Sequence, residues 1–81
     1  MAKSIYCLYQ ENYEHYALES VNLVANAYST KKKAMEYLAR LCEIWNDGEF
    51  SASLYNGGLA LHIYEGDELK HVIFAKVAIL Y

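Results

Sequence analysis

Histidine, cysteine and clustered carboxylate side chains are the groups in this chain that could do chemistry. His62 and His71 flank a predicted hairpin turn, where opposed imidazoles could supply two metal nitrogens. A structural zinc site normally needs a full tetrahedral set of ligands, and only tyrosine and glutamate side chains follow nearby in the sequence. Cys7 and Cys42 match no zinc-binding spacing and are expected to be small core residues. The sequence therefore predicts no metal and no cofactor.

The motifs that build common active sites are absent from the sequence. There is no glycine-rich dinucleotide fingerprint, no P-loop, no HExxH and no nucleophile elbow. The pair Gly57-Gly58 is expected to turn the chain rather than to cradle a phosphate. Glu65, Asp67 and Glu68 cluster at a predicted turn, where carboxylates are usually solvated. We therefore expect that the chain is not an enzyme.

The composition is that of one small acidic domain. The 81 residues are 56% hydrophobic and 21% charged, which excludes an intrinsically disordered chain. The formal net charge is −3, whereas nucleic-acid-binding domains usually carry a basic surface, so direct nucleic-acid binding is not expected. Residues 1–81 are expected to form a single domain, and a domain this short gains stability by forming a homo-oligomer.

Neither a targeting segment nor a membrane span is evident in the sequence. The first residues lack the apolar stretch of a signal peptide, and no apolar run approaches the length needed to cross a bilayer. We therefore expect a cytoplasmic protein without membrane contact. If a phage encodes the chain, that compartment is the host cell cytoplasm.

The N-terminal third is predicted to form two strands. Residues 4–9 are rich in aromatic and β-branched side chains on both faces, which favours a central strand. Residues 10–15 are predicted to form a loop, because Gln10, Glu11 and Asn12 interrupt the apolar pattern. Residues 18–28 fit both strand and helix periodicity, and we favour a strand that pairs with the first one.

A helix over residues 30–46 is the clearest element of the sequence. Its apolar side chains recur at helical spacing and form one stripe that should be buried. The members of this stripe are Ala34, Leu38, Leu41, Cys42 and Trp45. Ser29 or Thr30 is expected to cap the N-terminus, and Gly48 suits the left-handed position after the C-terminus.

The C-terminal part is predicted to form strands over residues 59–64 and 69–80, with a possible short strand over residues 50–55. A symmetric turn between the two longer strands pairs Tyr64 with Leu69 and His62 with His71. In this register one face of the hairpin packs against the helix and the other is uncovered. The expected core face comprises Leu59, Leu61, Ile63, Val72 and Phe74, and the expected uncovered face comprises Ala60, His62, Tyr64, Leu69, His71 and Ile73.

The order of elements predicts an α+β fold. The arrangement is β-β-α-β-β, with an antiparallel sheet of four strands, or five if residues 50–55 form one, and a single helix on one face. One helix can cover only one side of such a sheet. The opposite face is expected to carry tyrosine, histidine and aliphatic side chains, and an apolar face of that kind usually marks an interaction site.

The run VANAYSTKKKAMEYL at residues 24–38 resembles the strand-to-helix junction of many small phage and mobile-element proteins. Those proteins often show a strand that ends in an aromatic residue, a Ser/Thr cap, lysines, and then an aromatic-leucine pair. The β-β-α-β-β order is also similar. Some proteins of this kind are anti-CRISPR or other anti-defence inhibitors, so the resemblance implies a non-enzymatic binder of a host protein or protein complex.

Two functions are compatible with these observations. The first is an inhibitor or adaptor that binds a host protein through the uncovered sheet face and acidic loops, with tyrosines as anchors. The second is a small-molecule-binding or sequestering domain with a tyrosine-lined pocket between protomers of a homo-oligomer. The predicted partner-binding residues are Tyr13, Tyr16, His62, Tyr64, Glu65, Asp67, Glu68 and His71.

Overall fold

The computed structural model describes residues 3–15 and 17–80. In that part of the chain, one helix and one five-stranded sheet form an α+β fold, as predicted. The possible strand after the helix is present. The elements are β1 (Lys3–Glu14), β2 (Ala17–Tyr28), α1 (Lys31–Trp45), β3 (Phe50–Tyr55), the short 3₁₀ turn Asn56–Gly58, β4 (Ala60–Glu65) and β5 (Glu68–Leu80).

All neighbouring strands of the sheet are antiparallel, in the order β2-β1-β5-β4-β3. The N-terminal strand β1 lies between β2 and β5, which confirms its prediction as a central strand with apolar residues on both faces. The ambiguous segment that begins near residue 18 is a strand, also as predicted. The short strand β3 and the long strand β2 form the two edges of the sheet.

The loop predicted over residues 10–15 is wrong, because β1 continues to Glu14. Its polar side chains satisfy one another on the strand surface. The Gln10 amide donates to Asn12 Oδ1 over 2.9 Å, and the Asn12 amide donates to Ser20 Oγ on β2 over 3.0 Å. The Tyr13 hydroxyl donates to the carboxylate of Glu11 over 3.0 Å. Hydrogen bonds between neighbouring side chains thus compensate for the apolar pattern that is missing here.

The two ends of α1 are tied by side-chain hydrogen bonds. Thr30 is the N-cap, and its hydroxyl oxygen accepts from the Lys33 backbone N–H over 3.2 Å. At the other end the Asn46 amide donates to the carbonyl oxygens of Cys42 and Ala52, each over 3.0 Å. Asn46 Oδ1 also accepts from the Ala52 N–H over 2.9 Å. Asn46 therefore fastens the C-terminus of the helix to the edge strand β3.

The core lies between α1 and the central strands. Leu38 of the helix and Leu8, Leu61 and Ile63 of the sheet are fully buried and belong to one cluster. The predicted buried stripe is confirmed for Ala34 and Leu38, which are fully buried. Leu41, Cys42 and Trp45 are only half-buried, at the border of this cluster. A single layer of side chains thus holds the helix on the sheet.

The predicted register of the β4–β5 hairpin holds only next to its turn. Tyr64 pairs with Leu69, but a β-bulge follows, and Ile63 pairs with His71 instead of Lys70. From this point His62 lies opposite Val72. Because successive side chains of a strand alternate between faces, this one-residue shift exchanges the two faces of β5.

The exchange corrects the predicted core face. His71 and Ile73 share the helix side with Leu61 and Ile63, whereas Val72 and Phe74 share the opposite side with His62. The predicted cross-strand pair of His62 and His71 is therefore wrong. Their imidazoles lie on opposite faces of the sheet, because the extra residue Lys70 changes the alternation between them.

Among residues 3–15 and 17–80, no helix combines the length and apolar character needed to span a bilayer.

Replacing Leu38 by alanine should lower the free energy of unfolding by about 2–5 kcal/mol, because it removes the helix's fully buried contact with the sheet. The matched control is Ile44→Ala, on the exposed side of the same helix, which should change that free energy by less than about 0.5 kcal/mol. Urea denaturation followed by circular dichroism measures both. Equal losses for the two variants would contradict the position of the core.

Candidate protein-binding surface

The side of the sheet opposite α1 is not covered by any element in the part of the chain that the structure describes. We call this side the open face. Strand pairing and alternation place Tyr9 and Glu11 of β1 on it, next to Phe74 and Val72 of β5. Val72 is nevertheless only 7% exposed, so the flanking side chains close over the centre of the face. The open face is a continuous surface rather than a cavity.

An aliphatic group forms the β2 side of the open face. Leu18, Val21 and Leu23 pair with Tyr13, Glu11 and Tyr9, respectively, and so share their face. These three side chains are 51%, 49% and 65% exposed. Aliphatic side chains exposed together at the edge of a sheet are unusual for a monomer and indicate a contact surface.

Aromatic side chains occupy the centre and the β3 side of the open face. The rings of Tyr9 and Phe74 are stacked, with centroids 5.6 Å apart. Towards β3, the Tyr55 ring lies 4.3 Å from the His62 ring. Burial, followed by the charge and hydrogen bond of the neighbouring Tyr55, raises the pKa of Tyr64. Aromatic rings with a polar atom at the edge are the residues that interfaces favour.

Four carboxylates gather at one end of the sheet, where the β1–β2 and β4–β5 connections lie side by side. We call this group the acidic tip; it comprises Glu14, Glu65, Asp67 and Glu68. The His15 backbone N–H donates to Glu68 across the two connections over 3.3 Å. The Lys70 ammonium lies 2.9 Å from Glu68, 3.8 Å from Glu14 and 4.0 Å from Glu65.

Lys70 is the cation around which the acidic tip is organised. Its hydrogen bond lowers the pKa of Glu68, and the pKa of Lys70 is raised by the same contact. Among the described residues, Glu14, His15 and Glu68 are close enough together to share a metal ion, because their ligand atoms lie within 4.8 Å of one another. The Lys70 ammonium already pairs with both carboxylates, so the arrangement holds an ammonium rather than requiring a metal.

The structure places the predicted partner-binding residues in three locations. Tyr13, His62 and Tyr64 are on the open face. Glu65, Asp67 and Glu68 are in the acidic tip at one end of the sheet, and alternation places Glu65 and its partner Glu68 on the helix side rather than on the open face. His71 is on the helix side and cannot join them, and Tyr16 lies outside the described residues.

Several residues of the open face were not predicted to bind a partner. Leu18, Val21 and Leu23 were assigned to a strand whose exposed side the sequence does not specify. Phe74 was assigned to the core, because the bulge at Lys70 is not visible in the pattern. Alternation of aliphatic residues along β2 was the available signal for the first group.

His71 lies on the helix side of the sheet, between Asn12 and the Trp45 ring near the C-terminal end of α1. Its Nδ1 is 2.8 Å from Asn12 Oδ1, which also accepts from the Gln10 amide. Because Asn12 Oδ1 is an acceptor, Nδ1 of His71 carries the proton and donates. The Trp45 ring lies 5.6 Å from the imidazole. Burial, and then the charge of Lys70, lowers the pKa of His71, so this histidine is held neutral.

A shallow groove runs beside the N-terminal half of α1, on the other side of the sheet from the open face. Its volume is about 640 Å³. Met35, Ala39 and Leu54 provide its apolar lining, and the side chains of Lys31 and Lys32 lie at its border. Glu36 also lines the groove beside these lysines, so the composition suits a largely apolar molecule.

No protein-family model, curated protein or solved structure matches this chain.

Protonation of His71 should make the stability of the fold depend on pH. Its folded-state pKa is lowered, so below about pH 6.5 the unfolded chain takes up the proton more readily than the folded one. Stability is therefore full above about pH 6.5 and decreases as the pH falls from there through the folded-state pKa. Urea denaturation between about pH 7.5 and 5.5 measures this slope above the range in which carboxylates titrate.

The variant His71→Gln should flatten that slope, because glutamine keeps a donor for Asn12 but does not titrate. The matched control is His62→Gln, on the open face, in which the slope set by His71 should persist. An unchanged slope in the His71 variant would contradict the assignment.

Proposed function

We propose that this chain is a small, non-enzymatic protein-binding module that acts as an inhibitor or an adaptor. The observation that carries the proposal is the open face. It combines the exposed side chains of Leu18, Val21 and Leu23 with the stacked rings of Tyr9 and Phe74. Exposure of such an apolar surface to water raises the free energy, and covering it with another protein lowers the free energy. Its shape supports contact with a protein rather than enclosure of a substrate.

The acidic tip indicates the charge of the partner. Three carboxylates lie within 4.0 Å of the Lys70 ammonium there, and Asp67 adds a fourth negative charge, so the tip has a negative field that favours a basic protein surface. Host proteins that bind nucleic acid carry basic surfaces, which have the charge that the tip would attract. The resemblance of residues 24–38 to small phage proteins agrees with such a target, and an inhibitor of a host defence complex is the form of the function that we favour.

Neutralising the acidic tip should weaken capture of the partner. The bait is the full chain on a resin, and the sample is a nuclease-treated bacterial lysate, so that nucleic acid cannot bridge the proteins. We expect the wild-type chain to retain a basic protein in stoichiometric amount. The double variant Glu65→Gln/Asp67→Asn should retain several-fold less, because each exposed charge pair contributes at most about 1 kcal/mol.

The matched control is Glu36→Gln/Glu43→Gln, which removes the same charge from exposed positions of α1. It should retain as much partner as the wild-type chain. If no protein is retained in stoichiometric amount, or if tip and helix variants behave alike, the proposal is wrong.

The groove beside α1 supports a second candidate, a domain that binds or sequesters a small molecule. This groove is lined by Met35, Ala39 and Leu54 and not by tyrosines between protomers, so it differs from the pocket expected from the sequence. Native mass spectrometry of the purified chain should then show an added mass that is lost in Ala39→Glu. A chain without added mass in both forms would dismiss this candidate.

A further inference from the structure

The charges at the centre of the open face are arranged with a pseudo-symmetry that suits a second copy of the chain. Tyr9 pairs with Phe74, and these stacked rings mark the centre. On the same face, Glu11 lies two residues after Tyr9 along β1, and Lys76 lies two residues after Phe74 along β5. Because β1 and β5 are antiparallel, the acid lies on one side of the aromatic pair and the base on the other.

We infer that two copies of this chain pack open face to open face, related by a two-fold axis that crosses the strands at the Tyr9–Phe74 pair. This inference rests on the proposed function, since it names an occupant of the same protein-binding face. In this arrangement Glu11 of each copy lies across from Lys76 of the other. The aromatic pairs meet at the axis, and the aliphatic residues of β2 lie in the same interface.

The charges also select the direction of the axis. A two-fold axis parallel to the strands would place Glu11 opposite Glu11 of the second copy and Lys76 opposite Lys76 of the second copy. Both contacts would be repulsive. An axis across the strands brings opposite charges together twice. The Glu11 carboxylate accepts a hydrogen bond from the Tyr13 hydroxyl, but neither Glu11 nor Lys76 forms an ion pair with a described side chain, so each keeps its charge for a partner.

The three strands nearest the axis are long enough for an extended contact. β2, β1 and β5 have 12, 12 and 13 residues, and at about 3.3 Å per residue they run for about 40 Å. A stable complex buries about 800 Å² on each partner, so most of the open face of these three strands must take part. The dimer would also cover Leu18, Val21 and Leu23, which are between 49% and 65% exposed in one chain.

The same axis keeps the acidic tip accessible. Since it reverses the strand direction, the tips of the two copies lie at opposite ends of the dimer. Alternation places Glu14, Glu65 and Glu68 on the helix side of the sheet, away from the packed faces, so each tip can meet a basic partner. The dimer would therefore present two recognition surfaces, and self-association would not compete with the contact made by the tip.

A charge-swap series tests the arrangement by sedimentation velocity from about 1 to 100 μM chain concentration. The wild-type chain should sediment as a dimer. Glu11→Lys and Lys76→Glu each place like charges together twice, and each should weaken the dimer by at least about tenfold in Kd. The double variant Glu11→Lys/Lys76→Glu restores opposite charges and should recover most of the wild-type affinity.

The matched control is Glu36→Lys, the same charge reversal on α1, which should leave the dimer unchanged. Circular dichroism verifies that each variant is folded. Where a charge reversal does not fold, Glu11→Gln or Lys76→Gln replaces it. Each neutral variant should weaken the dimer less than a charge reversal does, and combining the two should not restore the wild-type affinity. A monomeric wild-type chain, or a double variant no better than the single ones, would overturn the inference.

The outcomes separate the dimer from the proposed function. A monomeric chain that still captures a basic protein through its tip removes the dimer and keeps the function. If the double variant restores the dimer but the wild-type chain captures no protein, the dimer is supported and the proposed function is wrong.

Discussion

The packing of one helix on one side of the sheet is the interaction on which the rest of the structure depends. Leu38 is the fully buried leucine of α1, and it meets Leu8, Leu61 and Ile63 in a single layer. No second helix balances it in the part of the chain that the structure describes. Everything on the helix side is therefore organised around this contact, and everything on the other side is left to water or to a partner.

The bulge at Lys70 links the fold to both candidate surfaces. By shifting β5 by one residue, it places His71 and Ile73 under the helix and turns Phe74 towards Tyr9 on the open face. The extra residue itself extends towards the carboxylates of the acidic tip. One local irregularity thus supplies the aromatic centre of one surface and the cation of the other.

Polar side chains of β1 form hydrogen bonds on both sides of the sheet. Gln10 and Asn12 form hydrogen bonds on the helix side, where Asn12 also holds the ring of His71. Glu11 and Tyr13 pair on the open face. β1 can therefore continue beyond its apolar first half to Glu14, with a titratable network on one side and an interaction surface on the other.

The sequence by itself determined the elements that local patterns specify. Helical spacing, the Thr30 cap and the single helix predicted the α+β class and the uncovered face, because periodicity and capping act between residues close in the chain. It could not determine the phase of β5 or the length of β1. The bulge at Lys70 and the bonds of Gln10 and Asn12 depend on partners from distant strands, and only those partners decide which side chains face the helix. The tertiary structure therefore separated His62 from His71, gathered the acidic tip from two distant turns, and placed Glu11 and Lys76 on either side of one aromatic pair.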